Sequence, residues 1–279
     1  MPTHLIVVGD IHGHWSAADV EQLDSEGADA IIVVGDLAGL RWSATLGVAR
    51  GIAALRTPTL VLPGNHDGPH PGQLLAEVAG QQQLGDWLTG TLSRRVEALR
   101  EALSPHTLAG YSAHRIGGLT VVAGRPHSMG GPRLSFPGHM AAAWSIETLE
   151  ASAERLCEVV DAVDTEDVIF LAHNGPTGLG ATRDAIFGCD FRREAGDWGD
   201  PDLAVAVEHA RRRGLRVRAV VAGHMHRRLR GGGQRRWREC RDDTLYLNAA
   251  EVPRVARQGR HHVRLDLTPE GVTARDCWL

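Results

Sequence analysis

The sequence contains no lysine: all 30 basic residues are arginine. That excludes a lysine nucleophile, a Schiff base and the phosphate-gripping lysine of a Walker-type loop. Cysteine is scarce. Cys157, Cys189, Cys240 and Cys277 are the four present, and none belongs to a C-x-x-C pair. Zinc-ribbon and dithiol redox motifs are thereby excluded, and the wide spacing predicts reduced thiols in a reducing compartment. Long apolar runs are missing too. Leu5 to Val8 is ended at once by Gly9 and Asp10, so there is neither a secretory h-region nor an 18-residue apolar stretch. The expectation is a cytoplasmic protein with no membrane partner. A net charge of −4 and a pI near 6.4 mean that the average surface does not advertise nucleic acid either.

What is present is a chain of 279 residues, 43% hydrophobic, enough for a sizeable core. No internal repeat and no linker-like stretch divides it, so one domain over 1–279 is expected. Leu5 to Val8, Ala30 to Val34 and Thr59 to Leu62 read as short buried strands, each stopped by a Gly-containing turn. Helical periodicity lies between them, over 16–26, where Ser16 can cap, and over 42–55. This is a parallel β-α-β beginning. Further on, 82–103 is predicted to hold one or two helices, 144–163 and 202–213 one each. Strands are predicted at 119–123, 168–172, 218–222, 244–248 and 261–267. Two Gly- and Pro-rich stretches, 124–139 and 174–201, are predicted as long loops.

Polar residues fall in a pattern on this frame. Asp10, Asp36, Asn65, His173 and His224 each come just after a predicted strand, and His12 and His226 extend the first and last sets by two residues. In open α/β sheets the carboxyl edge of the strands is where ligands bind. Oxygen and imidazole donors converging there suit two divalent metals, with a carboxylate able to bridge them. Two metals roughly 3.5–4 Å apart acidify a shared water and clamp phosphate oxygens, which is what phosphoester hydrolysis needs.

The motifs Asp10-Ile11-His12, Gly35-Asp36, Gly64-Asn65-His66-Asp67, His173 and Gly223-His224-Met225-His226 resemble those of the calcineurin-like metallophosphoesterases, in the same order and over about four fifths of the chain. The resemblance implies a four-layer αββα sandwich of two mixed sheets flanked by helices. It implies one metal held by Asp10, His12 and His226, another by Asn65, His173 and His224, and Asp36 bridging them. Mixed N/O donors admit Mn, Fe, Zn, Co or Ni, with Mn or Fe favoured. It further implies a metal-bridging hydroxide as nucleophile and His66 as the general acid, a task that suits imidazole. Gly13-His14-Trp15-Ser16, residues 173–180 and residues 196–203 are similar to a less-studied branch from cyanobacteria and plants, which implies no known substrate. One departure narrows the class. After Asp36 the run is Leu37-Ala38-Gly39-Leu40-Arg41, where Ser/Thr phosphatases of the superfamily carry Gly-Asp-x-x-Asp-Arg-Gly. That subclass is excluded, and the group orienting His66 is left unassigned, Asp67 being adjacent only in sequence.

Substrate choice is expected in the two long loops, since loops of that length commonly form lids or binding loops. Arg125 is a candidate phosphate grip, with His14 and Arg183 as further candidates and Arg133, His127 and His139 behind them. Trp198 could face a substrate ring or pack into the protein. The segment 227–241 carries seven arginines, Arg227, Arg228, Arg230, Arg235, Arg236, Arg238 and Arg241. It reads as a solvated hairpin, with a polyanion patch as the alternative. Three functions follow: hydrolysis of a small phosphomonoester or phosphodiester, a nuclease that uses the Arg-rich segment, or a non-catalytic metal-binding scaffold, for which loss of donors would be expected.

Overall fold

The computed structural model describes residues 2–39, 41–81, 89–192 and 195–279. Among them the predicted β-α-β beginning is present as β1 (Thr3–Val8), α1 (Ala17–Ser25), β2 (Ala30–Val33), α2 (Trp42–Ile52) and β3 (Thr59–Val61). Ser16 caps α1: its hydroxyl accepts from Ala18 N–H, and Asp19 reaches back to the Ser16 N–H at 2.7 Å. β4 (Thr107–Leu108) extends the parallel run β1-β2-β3-β4, and β12 (Gly259–Thr268) adds antiparallel to β1. With β11 (Val255–Ala256) and β13 (Gly271–Trp278), both on β12, this is a seven-stranded sheet.

The second sheet has six strands in the order β5-β6-β7-β8-β10-β9. β6 (Leu119–Ala123), β7 (Asp167–Leu171), β8 (Arg216–Ala222) and β10 (Thr244–Asn248) run parallel, while β5 (Ser112–Ile116) and β9 (Arg238–Arg241) close the edges antiparallel. Side chains alternate across each strand. Leu5, Val7 and Ile32 therefore meet Val121, Ile169 and Val221 between the sheets. Their neighbours Ile6, Val8, Ile31 and Val33 face α1, α2 and α4 (Thr89–Leu103), which supply Leu23, Ile52 and Leu99. On the far side, Val168, Phe170 and Val220 pack with Leu156 of α6 (Leu149–Asp161) and Val207 of α7 (Pro201–Arg212). The result is two mixed sheets face to face with helices on both outer surfaces, the four layers expected. No described helix is long and apolar enough to cross a membrane.

The departures have local causes. The stretch 144–163 is not one helix. Pro137 opens the short helix α5 (Pro137–Trp144), which Ser145 ends at φ 59°, and α6 restarts under a Thr148 cap. The predicted loop 124–139 accordingly stops at 136. Helix α3 (Pro71–Val78) was not predicted; it too begins with proline at its first position, capped by His70. Of the helix prediction over 82–103, residues 82–88 lie outside the described residues, and α4 accounts for the rest.

Candidate metal centre

The parallel strands of both sheets deliver their carboxyl ends to one edge. Asp10 follows β1, Asp36 follows β2, Asn65 follows β3, His173 follows β7 and His224 follows β8. The backbone at this edge is bent hard. Asp10, His12, Asp36 and His224 all have positive φ, at 22°, 46°, 52° and 63°. Strain of this kind in non-glycine residues costs energy and clusters where a site demands it. Two glycines make the approach feasible. A Cβ on Gly64 would lie 2.3 Å from Asp36 Oδ1, and one on Gly223 would lie 2.3 Å from Asp10 Oδ1.

Two donor groups result. In the first, Asp10, His12 and His226 offer atoms all within 4.8 Å of one another. His12 Nε2 and His226 Nε2 are 3.2 Å apart, and His226 Nε2 is 3.4 Å from Asp10 Oδ2. Asp10 is fully buried; its Oδ1 accepts from His224 N–H at 3.0 Å, while Oδ2 has no hydrogen bond of proper geometry. In the second, Asp36, His173 and His224 converge equally closely. Asn65 joins them, its Oδ1 3.0 Å from His173 Nε2. Asp36 stands between the groups, with Oδ1 3.5 Å from His173 Nε2 and Oδ2 3.8 Å from His12 Nε2.

The tautomer of His173 decides what this arrangement accepts. Its Nδ1 lies 2.6 Å from the Val34 carbonyl, so Nδ1 carries the proton and donates. In the neutral form that metal ligation requires, His173 aims the lone pair of Nε2 at two oxygens, Asn65 Oδ1 and Asp36 Oδ1. Three acceptors converging in this way suit a cation, either a proton or a metal ion. The His–carbonyl bond is also the arrangement that commonly orients a metal-bound imidazole. The electrostatics likewise favour positive charge between these groups, whether a proton or a metal ion supplies it. Burial opposes the charge on Asp10 and Asp36, yet the surrounding imidazoles hold both carboxyls below their ordinary range. Burial and the neighbouring His173 push His224 down to about 3, which keeps it a neutral donor. In His173 and His226 burial is outweighed by the nearby carboxylates, chiefly Asp36 and Asp10 respectively, and both are raised.

The calcineurin-like phosphoesterase family matches residues 3–228. The chain belongs to that family. Solved relatives share the fold at low identity. TT1561 of Thermus thermophilus is 13% identical, with 99% of each chain covered and a TM-score of 0.59. A dimetal phosphatase from Danio rerio is 11% identical, with 98% of this chain and 95% of that one covered and a TM-score of 0.54. No curated protein matches the sequence.

Around this calcineurin-like centre lies a cleft of about 490 Å³, walled by Asp36, His66, His224 and His226 on one side and by both long loops on the other. His66 is half-buried at its edge, its ring centroid 5.7 Å from that of His12, and its backbone N–H donates to Asp36 Oδ1 at 3.0 Å. Its Nδ1 is buried and finds no partner among the described residues. Asp67 does not orient it. The Asp67 carboxylate accepts from Leu37 N–H at 2.8 Å and Gly64 N–H at 2.9 Å, tying together the turns that hold Asp36 and Asn65.

The substrate candidates are corrected. Arg125 is only 2% exposed, and its guanidinium is committed to Asp202 at 2.8 Å and Asp200 at 2.9 Å. It braces the loops from within and does not wall the cleft. His14 is exposed outside the cleft, where its carbonyl accepts from Arg254 at 2.7 Å. Arg183 donates to the Arg230 carbonyl at 2.8 Å and is likewise no wall residue. His127 and His139 are buried behind the cleft, pushed down by burial to about 3 and about 4. Trp198 does line the cleft, packing on Gly131 and donating to the Met129 carbonyl at 3.0 Å.

The Arg-rich segment also dissolves as a patch. Arg227 is buried against Asp276 at 2.9 Å, and Arg235 is buried on loop carbonyls and on Asp190 at 3.1 Å. Arg236 and Arg241 pair with Glu239, and Arg238 donates to the Ala274 carbonyl. Only Arg228 and Arg230 reach the cleft, with Arg133 and Arg192 from the loops. Sequence reasoning set Arg133 low and missed Arg192 and the apolar Met129, Val78 and Phe191, because nothing in their local pattern separates cleft walls from ordinary loop surface.

Proposed function

We propose that the chain hydrolyses a phosphomonoester or phosphodiester of a small molecule, with two divalent metal ions held at this centre. Asp10, His12 and His226 would hold one ion, Asn65, His173 and His224 the other, and Asp36 would serve both. When bound, the pair supplies an acidified water and neutralises phosphate charge. The observation that carries the reading is the convergence of His173 Nε2 with Asn65 Oδ1 and Asp36 Oδ1, beside a buried Asp10 oxygen that has no hydrogen bond of proper geometry among the described residues.

The chain's own groups do the rest. The glycine-lined turns hold the donors at close approach. His66, at the cleft wall and bound through its backbone N–H to Asp36, is placed to hydrogen-bond a phosphate oxygen through its ring and give a proton to the leaving oxygen. The complete donor set speaks against the scaffold reading. The scattering of the Arg-rich segment speaks against the nuclease reading, because a polymer needs a continuous row of phosphate contacts. The test is turnover of p-nitrophenyl phosphate and bis-p-nitrophenyl phosphate with Mn²⁺ and the other candidate metals, together with metal content per chain. Turnover that vanishes in Asp36→Ala supports the reading. No turnover of either ester with any metal overturns it.

A further inference from the structure

The cleft holds more positive charge than a single phosphate at the metal centre can use. Arg133 comes from the first long loop, Arg192 from the second, and Arg228 and Arg230 from the turn after β8. The buried arginines Arg125, Arg227, Arg235 and Arg254 are spent on carboxylates and carbonyls. The four at the cleft form no ion pair among the described residues. The acids nearby are engaged: Asp190 accepts from Arg235 at 3.1 Å and from Arg230 N–H at 2.8 Å, and Glu77 accepts from Phe136 N–H at 2.7 Å.

Two of the guanidiniums are nonetheless held in place. Arg192 lies 4.2 Å over the ring of Trp198, and Arg230 lies 6.0 Å over that of Phe191. Stacking on a ring fixes a planar fork without neutralising it. Between the arginines the wall is apolar. Val78 is 63% exposed and Phe191 38%, and Met129 joins them. Large exposed apolar side chains inside a charged rim mark a binding surface. The volume of about 490 Å³ suits a ligand of nucleotide size.

We propose that the substrate is a small phosphoester carrying a second phosphate beyond the scissile one, received by Arg133, Arg192, Arg228 and Arg230 while an apolar or ring-shaped body lies on Val78, Met129 and Phe191. The proposal rests on the hydrolase reading for the position of the scissile phosphate. The second-phosphate site itself is read from the cleft.

The probes are AMP and adenosine 3′,5′-bisphosphate, titrated calorimetrically into the Mn²⁺-loaded protein. The bisphosphate is expected to bind about tenfold tighter or more, since charge-assisted Arg–phosphate bonds are the strong ones. That advantage is expected to fall to about threefold or less in Arg228→Gln/Arg230→Gln and in Arg133→Gln/Arg192→Gln. Arg155→Gln, an exposed arginine on α6 far from the cleft, should keep it. Equal affinity of the two probes for the unaltered protein overturns the proposal, as does an advantage that survives both double variants. Turnover of bis-p-nitrophenyl phosphate is measured on the same samples. Absence of turnover of this ester and of p-nitrophenyl phosphate with every candidate metal overturns the hydrolase reading, whereas the affinity ratio judges the second-phosphate site alone.

Discussion

Arg125→Met tests whether the cleft is preformed by a buried charge network. Arg125 leaves β6 and donates to Asp202 Oδ2 at 2.8 Å and to Asp200 Oδ1 at 2.9 Å, with all three side chains 3% exposed or less. Ser128 donates to Asp200 at 2.7 Å and Ser152 to Asp202, and Tyr111 meets Ser152 at 2.6 Å. The first long loop, the end of the second, α6 and α7 are therefore tied at one point. Methionine keeps the length of the side chain and removes the charge, leaving two carboxylates in the interior without a cation. Breaking a buried pair in this way costs about 3–5 kcal/mol. For a chain of this size that lowers Tm by roughly 10 °C. The pH dependence follows. Burial raises the Asp200 carboxyl to about 6 against the pull of Arg125, with Asp202 adding to the rise. Without Arg125 it rises further. A carboxyl that binds its proton more tightly folded than unfolded gains stability as pH falls through its folded value. The deficit of the variant should therefore be larger at pH 7.5 than at pH 5, and Asp200→Asn in the same background should recover part of it. Thermal melts at the two pH values and hydrogen exchange over 124–136 and 174–200 read this directly. A Tm unchanged at pH 7.5, or a deficit that grows on acidification, would refute the reasoning.

His66→Ala should cut kcat by about 10²–10⁴ while metal content per chain stays as in the unaltered protein, since a general acid is typically worth that much; loss of metal together with activity would instead place His66 among the ligands. Gly64→Ala should abolish metal uptake, because the new Cβ would sit 2.3 Å from Asp36 Oδ1 and 2.6 Å from His173 Cε1; equilibrium dialysis with Mn²⁺ checks it. Chelation should lower Tm by several degrees and re-addition of Mn²⁺ restore it, as any ligand of the folded state alone must do. Fluorescence anisotropy with a 20-base-pair duplex should give a dissociation constant weaker than about 100 µM at 150 mM salt, the weak end of non-specific binding; micromolar binding would revive the Arg-rich segment as a nucleic-acid surface.

The meeting of the candidate donors at one edge was legible because it is written in strand punctuation. An apolar run followed by Gly-Asp, Gly-Asn, Gly-His or Ala-His fixes both the element and the place where its polar residue emerges, and parallel pairing brings five such places to one edge. The same logic gives the two sheets. What escaped depends on distant partners. Arg125 and Arg133 stand in one loop with similar neighbours in sequence, yet Arg125 is buried by Asp200 and Asp202, some 75 residues onward, and Arg133 is left at the cleft. Arg227 and Arg228 are adjacent, and Asp276 decides that one braces the β13 edge while the other faces the cleft.

The chain has no lysine, so every permanently charged basic side chain is arginine, and composition alone cannot sort structural cations from functional ones. A guanidinium serves either use: it forks onto a carboxylate in the interior and stacks on a ring at the surface. The distinction lies in what neutralises it. Those met by Asp, Glu or backbone carbonyls hold the loops in place. The four at the cleft, held in part by Trp198 and Phe191, keep their charge for what binds there. Preorganising both loops through Arg125 and Arg235 thus sets the positions of Arg133, Arg192, Arg228 and Arg230, and loss of either brace should loosen ligand binding before it alters the metal centre.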